Sequence, residues 1–482
     1  MTVTWLDIAR VLPEVVLALF GILVMVADPF LPGPRKRILG PVALVGALVA
    51  LASTAAQAMH PGPAFTGLLQ VDYFAVFLHV LLLAVTALII LSSFRYLEQE
   101  AIPPGEYYAL LLFGAVGMGL LAAANELVVA FLSLETSSIA TYVLAGLRRG
   151  QAKSNESAVK YFLLGSFATA FLLYGIALLF GATGTTVLPE IAHQLSSPSA
   201  SMETALAGMA LLFVGLAFKI ASAPFQVWTP DVYEGAPTPV TAFLSVGTKA
   251  AAFALFLRVF FVALVPAQGD WFWLLWASAI LTMFVGNLGA LVQTNIKRML
   301  AYSSVAHAGY ILVAFAAGTE LGVAAALFYL VAYALMKLGA FTLVAHVSAG
   351  EQNQSIDDYA GLHSHHPLLA ACMAVFMFSL IGIPLTGGFL GKFHIFQAAV
   401  ERDLIGLVIL GVVNSVLSVG YYLRVVKVMY MNEPQREFAL PPMSASLAFV
   451  LTLTALGTIY LGTMPDTVLR FASRSALPLF HP

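Results

Sequence analysis

Six ionisable side chains stand where an apolar chain has no ordinary use for them. Glu135, Lys219, Lys249, His307, Lys337 and Lys392 are each embedded in long apolar stretches. A charged side chain at the centre of a bilayer costs roughly 2.5–3.5 kcal/mol on insertion scales, and residues kept at that cost usually move ions or protons. Desolvation brings a buried ammonium within reach of losing its proton at neutral pH, and a carboxylate close by restores its hold. A file of lysines with one glutamate can therefore accept and pass protons under electrostatic control, with no cofactor of its own.

Blander roles compete at each position. Lys219, Lys249 and Glu135 could form structural ion pairs, although buried pairs are seldom kept for stability. Lys392 could snorkel to an interface, and Lys337 and His307 could serve local hydrogen bonds. Lys160, Arg424 and Lys427 lie near helix ends and read as snorkelling. Asp72 and His79 fit either a water-lined path or a capping and packing role. Two apparent motifs fail in context. Gly117-x-Gly119-x-x-Ala122 imitates a dinucleotide fingerprint inside an apolar run with no strand before it, so close helix packing explains it better. His363, His365 and His366 imitate a metal cluster but occupy a polar connector beside Asp357 and Asp358, so no metal site is expected.

The elements that hold these residues must be membrane helices. Hydrophobic residues make up 60% of the 482 and charged residues 10%, with a mean hydropathy of +0.93. A soluble domain of this size needs a far more polar exterior. Apolar runs of spanning length recur from end to end, and segmentation gives about fourteen transmembrane helices in one membrane domain, residues 1–482. Glu135 falls in the fifth (about 127–147), Lys219 in the seventh (204–228) and Lys249 in the eighth (238–265). His307 falls in the tenth (299–318), Lys337 in the eleventh (321–347) and Lys392 in the twelfth (367–400). Pro224 interrupts the seventh, freeing a carbonyl where water can enter. Pro384, Gly387 and Gly388 interrupt the twelfth. By depth, Lys219 lies inward of centre, Lys249 at mid-membrane and Lys392 toward the outer exit.

Basic residues gather in loops after odd-numbered helices: Arg35, Lys36, Arg37, Arg95, Arg148, Arg149, Lys153, Lys297, Arg298 and Arg436. Those loops are expected to be cytoplasmic, which places both termini outside an inner membrane. The start of the chain does not read as a cleaved signal. One cysteine, Cys372, rules out an internal disulfide and any cysteine-ligated cluster or structural zinc. A net charge of −2 points to no nucleic-acid partner. A faint repeat also shows. Tyr142 and Tyr310 are 168 positions apart, a spacing that sets Glu135 against Ser303, and Lys219 and Lys392 are 173 apart. Interrupted helices at matching places in two halves point to a path at the midplane.

The stretch from Lys219 through WTPDVYEGAPTPVTAF to Lys249 closely resembles the hallmark of the antiporter-like membrane subunits of NADH:quinone oxidoreductase (respiratory complex I, NDH-1). Its wording is similar to the N-type branch. The related M and L types and the Mrp antiporter subunits read closer to WLPDA-x-x-APT. YSSVAHAGY at 302–310 and IPLTGGFLGKF at 383–393 support the match. The resemblance implies an all-α polytopic fold with two inverted five-helix repeats (107–265 and 271–430) and broken seventh and twelfth helices. It implies that Glu135 pairs with Lys219, that Lys249 joins the two halves and that Lys392 leads outside. Lys337 and His307 fit the axis between the halves. FMN, iron–sulfur clusters, NADH and quinone would belong to other subunits, with L, M, K, J and A types as partners. A sodium/proton antiporter subunit, a membrane-bound hydrogenase or ferredoxin dehydrogenase subunit, and an inert spacer are the competing readings.

Overall fold

The computed structural model describes residues 3–198, 201–348, 353–434 and 440–481. It is almost entirely helical. Among the described residues, thirteen helices are long and apolar enough to cross a membrane. A fourteenth crossing is made in two pieces, Pro367–Ile381 and Gly387–Val400. The expected count of fourteen is therefore met, with the broken twelfth helix supplying the last. Arg436 lies outside the described residues.

The first three helices, Leu12–Ala27, Leu39–Met59 and Tyr73–Gln99, precede the fourth, Pro104–Ala123, and the fifth, Leu127–Ala145. The sixth (Ala152–Thr183), seventh (Met202–Ile220) and eighth (Thr238–Ala263) complete the first half. The ninth is Gln268–Leu291, the tenth Ile296–Ala317, the eleventh Glu320–Val347, the thirteenth Ile405–Met431 and the fourteenth Ala445–Thr463. The one sheet among the described residues is a small hairpin, β1 (Gly62–Ala64) against antiparallel β2 (Leu69–Val71), with Gly62 opposite Val71. It was not expected from the sequence.

Burial sorts the helices. The eighth and tenth are buried over nearly their whole length, whereas the first, second, sixth and thirteenth leave much of their apolar surface uncovered. Leu19, Leu163, Phe167 and Val416 all point outward. An apolar exterior around a mostly apolar interior that nevertheless holds buried lysine, histidine, serine and tyrosine departs from the soluble pattern, as lipid solvation requires.

Both interruptions expected from proline are present. The seventh helix stops at Ile220, where Ala221 turns into the left-handed region at φ 60°, and a short helix, Trp228–Gly235, follows. Ala223–Pro224 is cis. In the twelfth, Gly382 at φ 92° ends the first piece, a position that favours glycine. One irregularity had no sequence signal. Leu244–Thr248, directly before Lys249, forms a π-helical turn, and Val259–Ala263 forms another. Such single turns recur at functional sites in membrane and soluble helices.

Candidate functional site

The ε-amino group of Lys219 sits at the end of its helix, 8% exposed. It donates to Ser138 Oγ at 2.7 Å and to Tyr142 Oη at 3.3 Å, both on the fifth helix. The expected direct pairing with Glu135 is not formed. Glu135 Oε1 accepts instead from Thr169 Oγ1 of the sixth helix at 2.9 Å. Tyr142 connects the two ends, because its hydroxyl packs against Gly165, whose carbonyl accepts the same Thr169 hydroxyl. Glu135 is also only half-buried, on a face where Leu132 and Ile139 are exposed. The carboxylate and the lysine are thus neighbours through Thr169 and Tyr142 rather than in contact.

Several groups around the break at Pro224 have protein partners. Phe218 O accepts from Trp228 Nε1 at 2.9 Å and from the Ala221 amide. Ser222 Oγ pairs with Ser278 and Thr282 of the ninth helix, and the Ala223 amide donates to Thr282. Orphan backbone groups within a membrane must find such partners. A cavity of about 20 Å³ does lie beside Lys219, lined by Ser138, Tyr161, Thr248 and Ala252 among others. That is room for one water, and Thr248 is the residue next to Lys249.

Lys249, 2% exposed, donates to the carbonyl and hydroxyl of Ser304 at 2.7 and 2.6 Å. Tyr333 donates to the same hydroxyl at 2.7 Å. One residue earlier, Ser303 accepts from Lys337 at 2.7 Å, and Lys337 also reaches Leu300 O. Ser303 pairs in turn with the Tyr422 hydroxyl, which meets His307 Nε2 at 3.0 Å. His307 Nδ1 bonds the Tyr329 hydroxyl. One stretch of the tenth helix therefore organises Lys249 and Lys337 on either side of adjacent serines, with His307 one turn further on.

Lys392 lies below the Tyr310 ring, 4.5 Å from its centroid. Its ammonium donates to Leu380 O and Ile381 O, the last carbonyls of the first twelfth-helix piece, and to Ser415 Oγ at 2.8 Å. It does not snorkel; it caps the break, where a helix C-terminus favours a cation. Lys219 has the matching relation to Tyr142, 5.2 Å from that ring. The two Tyr–Lys couples separated by 168 and 173 positions are thus alike in space as well as in spacing.

At the Trp228–Gly235 helix, Asp231 bonds Lys160 at 2.6 Å and Arg298 at 2.7 Å, and Glu234 bonds Lys153 and Arg298. Lys160 is therefore a clamp residue and not a free snorkelling chain. Burial pushes both carboxyls up, but the Lys160, Lys153 and Arg298 contacts outweigh it and hold them below the usual carboxylate range. With depressed folded values, this contribution is complete above the unfolded carboxylate pKa and is lost as pH falls through the folded one. The clamp should hold through neutral and mildly acid pH and release only below the usual carboxylate range. At neutral pH, Asp231→Asn should quicken hydrogen exchange in residues 228–236 by roughly fivefold, about 1 kcal/mol for a partly exposed pair. Unchanged exchange would show the clamp to be ornamental.

The remaining expectations resolve simply. Asp72 caps the third helix through the Ala75 amide and pairs with Arg258, a buried cation that the sequence reading passed over. Arg424 donates to Gln293 O. His363 bonds Met429 O and stacks on Tyr430.

Comparison with known proteins now places this arrangement. Residues 124–418 match the family described as NADH:quinone oxidoreductase/Mrp antiporter, transmembrane. NADH-quinone oxidoreductase subunit N 1 of Solibacter usitatus is 49% identical, with 98% of each chain covered. The chain belongs to the subunit N family of NADH-quinone oxidoreductase. A chain of respiratory complex I from Thermus thermophilus shares the antiporter-like fold at 35% identity, with a TM-score of 0.81, covering 95% of this chain and 98% of that one. A chain of an archaeal membrane-bound sulfane sulfur reductase superposes at a TM-score of 0.88 and 25% identity, covering 98% of each. The NADH:quinone oxidoreductase/Mrp antiporter family match spans both breaks and Glu135, Lys219, Lys249, His307, Lys337 and Lys392. Among the described residues, no group of three or more histidine, cysteine, aspartate or glutamate side chains is arranged to hold a metal.

Proposed function

We propose that this chain is the N-type proton-translocating membrane subunit of an NADH:quinone oxidoreductase, with Lys219, Lys249, Lys337, His307 and Lys392 as its proton carriers. The observation that carries this reading is the tenth helix. Its Ser303, Ser304 and His307 join lysines from the eighth and eleventh helices to Tyr422 and Tyr329, and Tyr310 continues toward Lys392. A proton leaves one lysine as the next accepts it, and the serine and tyrosine hydroxyls between them both donate and accept. Glu135 biases the first step. When its charge is drawn toward another partner, the Lys219 proton is released toward Lys249.

In this reading, residues 107–265 and 271–430 are the two inverted repeats, each holding a Tyr–Lys couple beside a broken helix. Pro224, and Pro384 with Gly387 and Gly388, make those breaks. The loops bearing Arg35–Arg37 and Arg148–Arg149 face the cytoplasm of a bacterium, and both termini face the periplasm. The half-exposed Glu135 meets a neighbouring subunit of the L, M, K, J or A type. Electrons pass from NADH through FMN and iron–sulfur clusters to quinone in other subunits, and this chain supplies none of those centres.

The test is to tag the chain, purify the assembly from membranes in mild detergent and reconstitute it in vesicles. NADH-dependent quinone reduction that acidifies one side supports the assignment. An assembly without flavin that exchanges sodium for protons moves the chain to the antiporters. Reduction of quinone by a ferredoxin, or hydrogen evolution, moves it to the related dehydrogenase and hydrogenase complexes.

A further inference from the structure

The third helix carries a buried titratable group that the lysine line does not use. His79 lies six residues into that helix, about 9 Å from its start, and is 1% exposed. Its Nδ1 is 2.8 Å from Gln57 Oε1 of the second helix. Its Nε2 is 2.9 Å from Gly119 O of the fourth helix and 3.1 Å from Glu14 Oε1 of the first. Gln57 Nε2 donates to Arg10 O at 2.6 Å, so the Gln57 atom facing the ring is its oxygen. Three oxygens therefore surround two ring nitrogens. A neutral imidazole has a single N–H and would aim its other lone pair at oxygen lone pairs. One further proton removes that repulsion by putting an N–H on both ring nitrogens, so that Nε2 donates to Gly119 O and to an ionised Glu14.

We infer that Glu14 and His79 form a proton-binding dyad of their own, holding one proton between Glu14 Oε1 and His79 Nε2, apart from the lysine line. The dyad also latches the first four helices together near the β1–β2 hairpin. The site is built for close approach. A Cβ on Gly119 would lie 2.5 Å from Glu14 Oε1, and one on Gly117 would strike the backbone of Ser133 and Ser137. The Gly117-x-Gly119 pattern thus serves two neighbours, the fifth helix on one side and the dyad on the other.

Other charged groups on the surrounding elements are committed elsewhere. Asp7 accepts from Thr4 and the Phe65 amide. Arg10 holds the carbonyls of His60, Pro61 and Pro63. Asp72 is paired with Arg258, and Arg474 lies over the Tyr73 ring. Loss of the proton to hydroxide leaves a neutral imidazole and a buried carboxylate whose Oε2 has no partner. A lone buried charge of this kind loosens whatever encloses it.

The dyad is tested in the assembled complex by hydrogen exchange in residues 60–71, followed from pH 6 to 10 and corrected for intrinsic exchange. Wild type should show a severalfold rise as the dyad loses its proton. Glu14→Gln, and the Glu14→Gln/His79→Gln pair, should remain flat across the range, because neither can leave a buried carboxylate. Identical profiles in wild type and both variants overturn the dyad. Should the variants not assemble, ¹⁵N shifts of the histidine rings in wild-type complex decide the matter. Two protonated or proton-sharing nitrogens at His79 support it, and one bare nitrogen beside an ionised Glu14 overturns it. Because the lysine line is separate, proton pumping by Glu14→Gln at neutral pH is expected to match wild type, and loss of pumping with intact assembly would deny that separation.

Discussion

Lys219→Ala lowers proton translocation by roughly tenfold or more while the complex still assembles, if the lysine hands protons onward as general acid and base. Assembly survives because little is orphaned. Ser138 Oγ keeps its own bond to Leu134 O, and the seventh-helix break is held by Trp228, Ser278 and Thr282 rather than by the ammonium. Lys219→Arg separates the two possible roles. A guanidinium keeps the charge, and the hydrogen bonds to Ser138 and Tyr142 can be remade, but it does not give up its proton at any working pH. A structural lysine would be rescued by arginine; a carrier would not. Proton uptake by reconstituted vesicles, read beside NADH:quinone turnover, decides between them. Near-normal pumping in Lys219→Ala would remove the residue from the path.

The lysines were legible because an ammonium inside an apolar run is expensive, and no amphipathic pattern excuses it. The two breaks were legible for a similar reason: proline and paired glycines have few uses mid-helix. What joins the lysines was not. Ser138, Ser304, Tyr333 and Tyr422 sit in helices where serine and tyrosine are ordinary, and hydroxyls there often bond their own preceding turn, as Thr141 and Thr248 do. Only the third dimension shows which hydroxyls also serve a neighbouring helix. The π turn before Lys249 is equally silent, since one extra residue per turn leaves an all-round apolar helix apolar. The expected Glu135–Lys219 contact was not legible as indirect, because Glu135, Ser138 and Tyr142 fall on one face of the fifth helix. In space the sixth-helix Thr169 takes the carboxylate, while Lys219 reaches Ser138 and Tyr142. Glu14 drew no notice in the sequence because a carboxylate in the first turn of a helix is ordinary there, yet it is buried beside His79.

Gly388→Ala is expected to be the most damaging single-methyl change in the chain's path-bearing helices. The added Cβ would overlap the Ser379 carbonyl, and backbone has no rotamer with which to yield. Overpacking of this sort typically costs 1–3 kcal/mol, and about 3 is expected where the obstacle is main chain. The damage would not stay local. The Gly388 amide donates to Ser379 Oγ, so forcing the pieces apart also withdraws Leu380 O and Ile381 O from Lys392, four residues further on. A cation left without those carbonyls is buried against little but the Tyr310 ring and Ser415. Both assembly yield and pumping should therefore fall, with thermal inactivation several degrees earlier. Gly406→Ala is the matched control. A Cβ there meets nothing within 4 Å, and alanine is the better helix former by up to about 1 kcal/mol. Equal yield and thermal stability in the two variants would mean that the twelfth-helix break tolerates separation, and that Lys392 is not positioned by it.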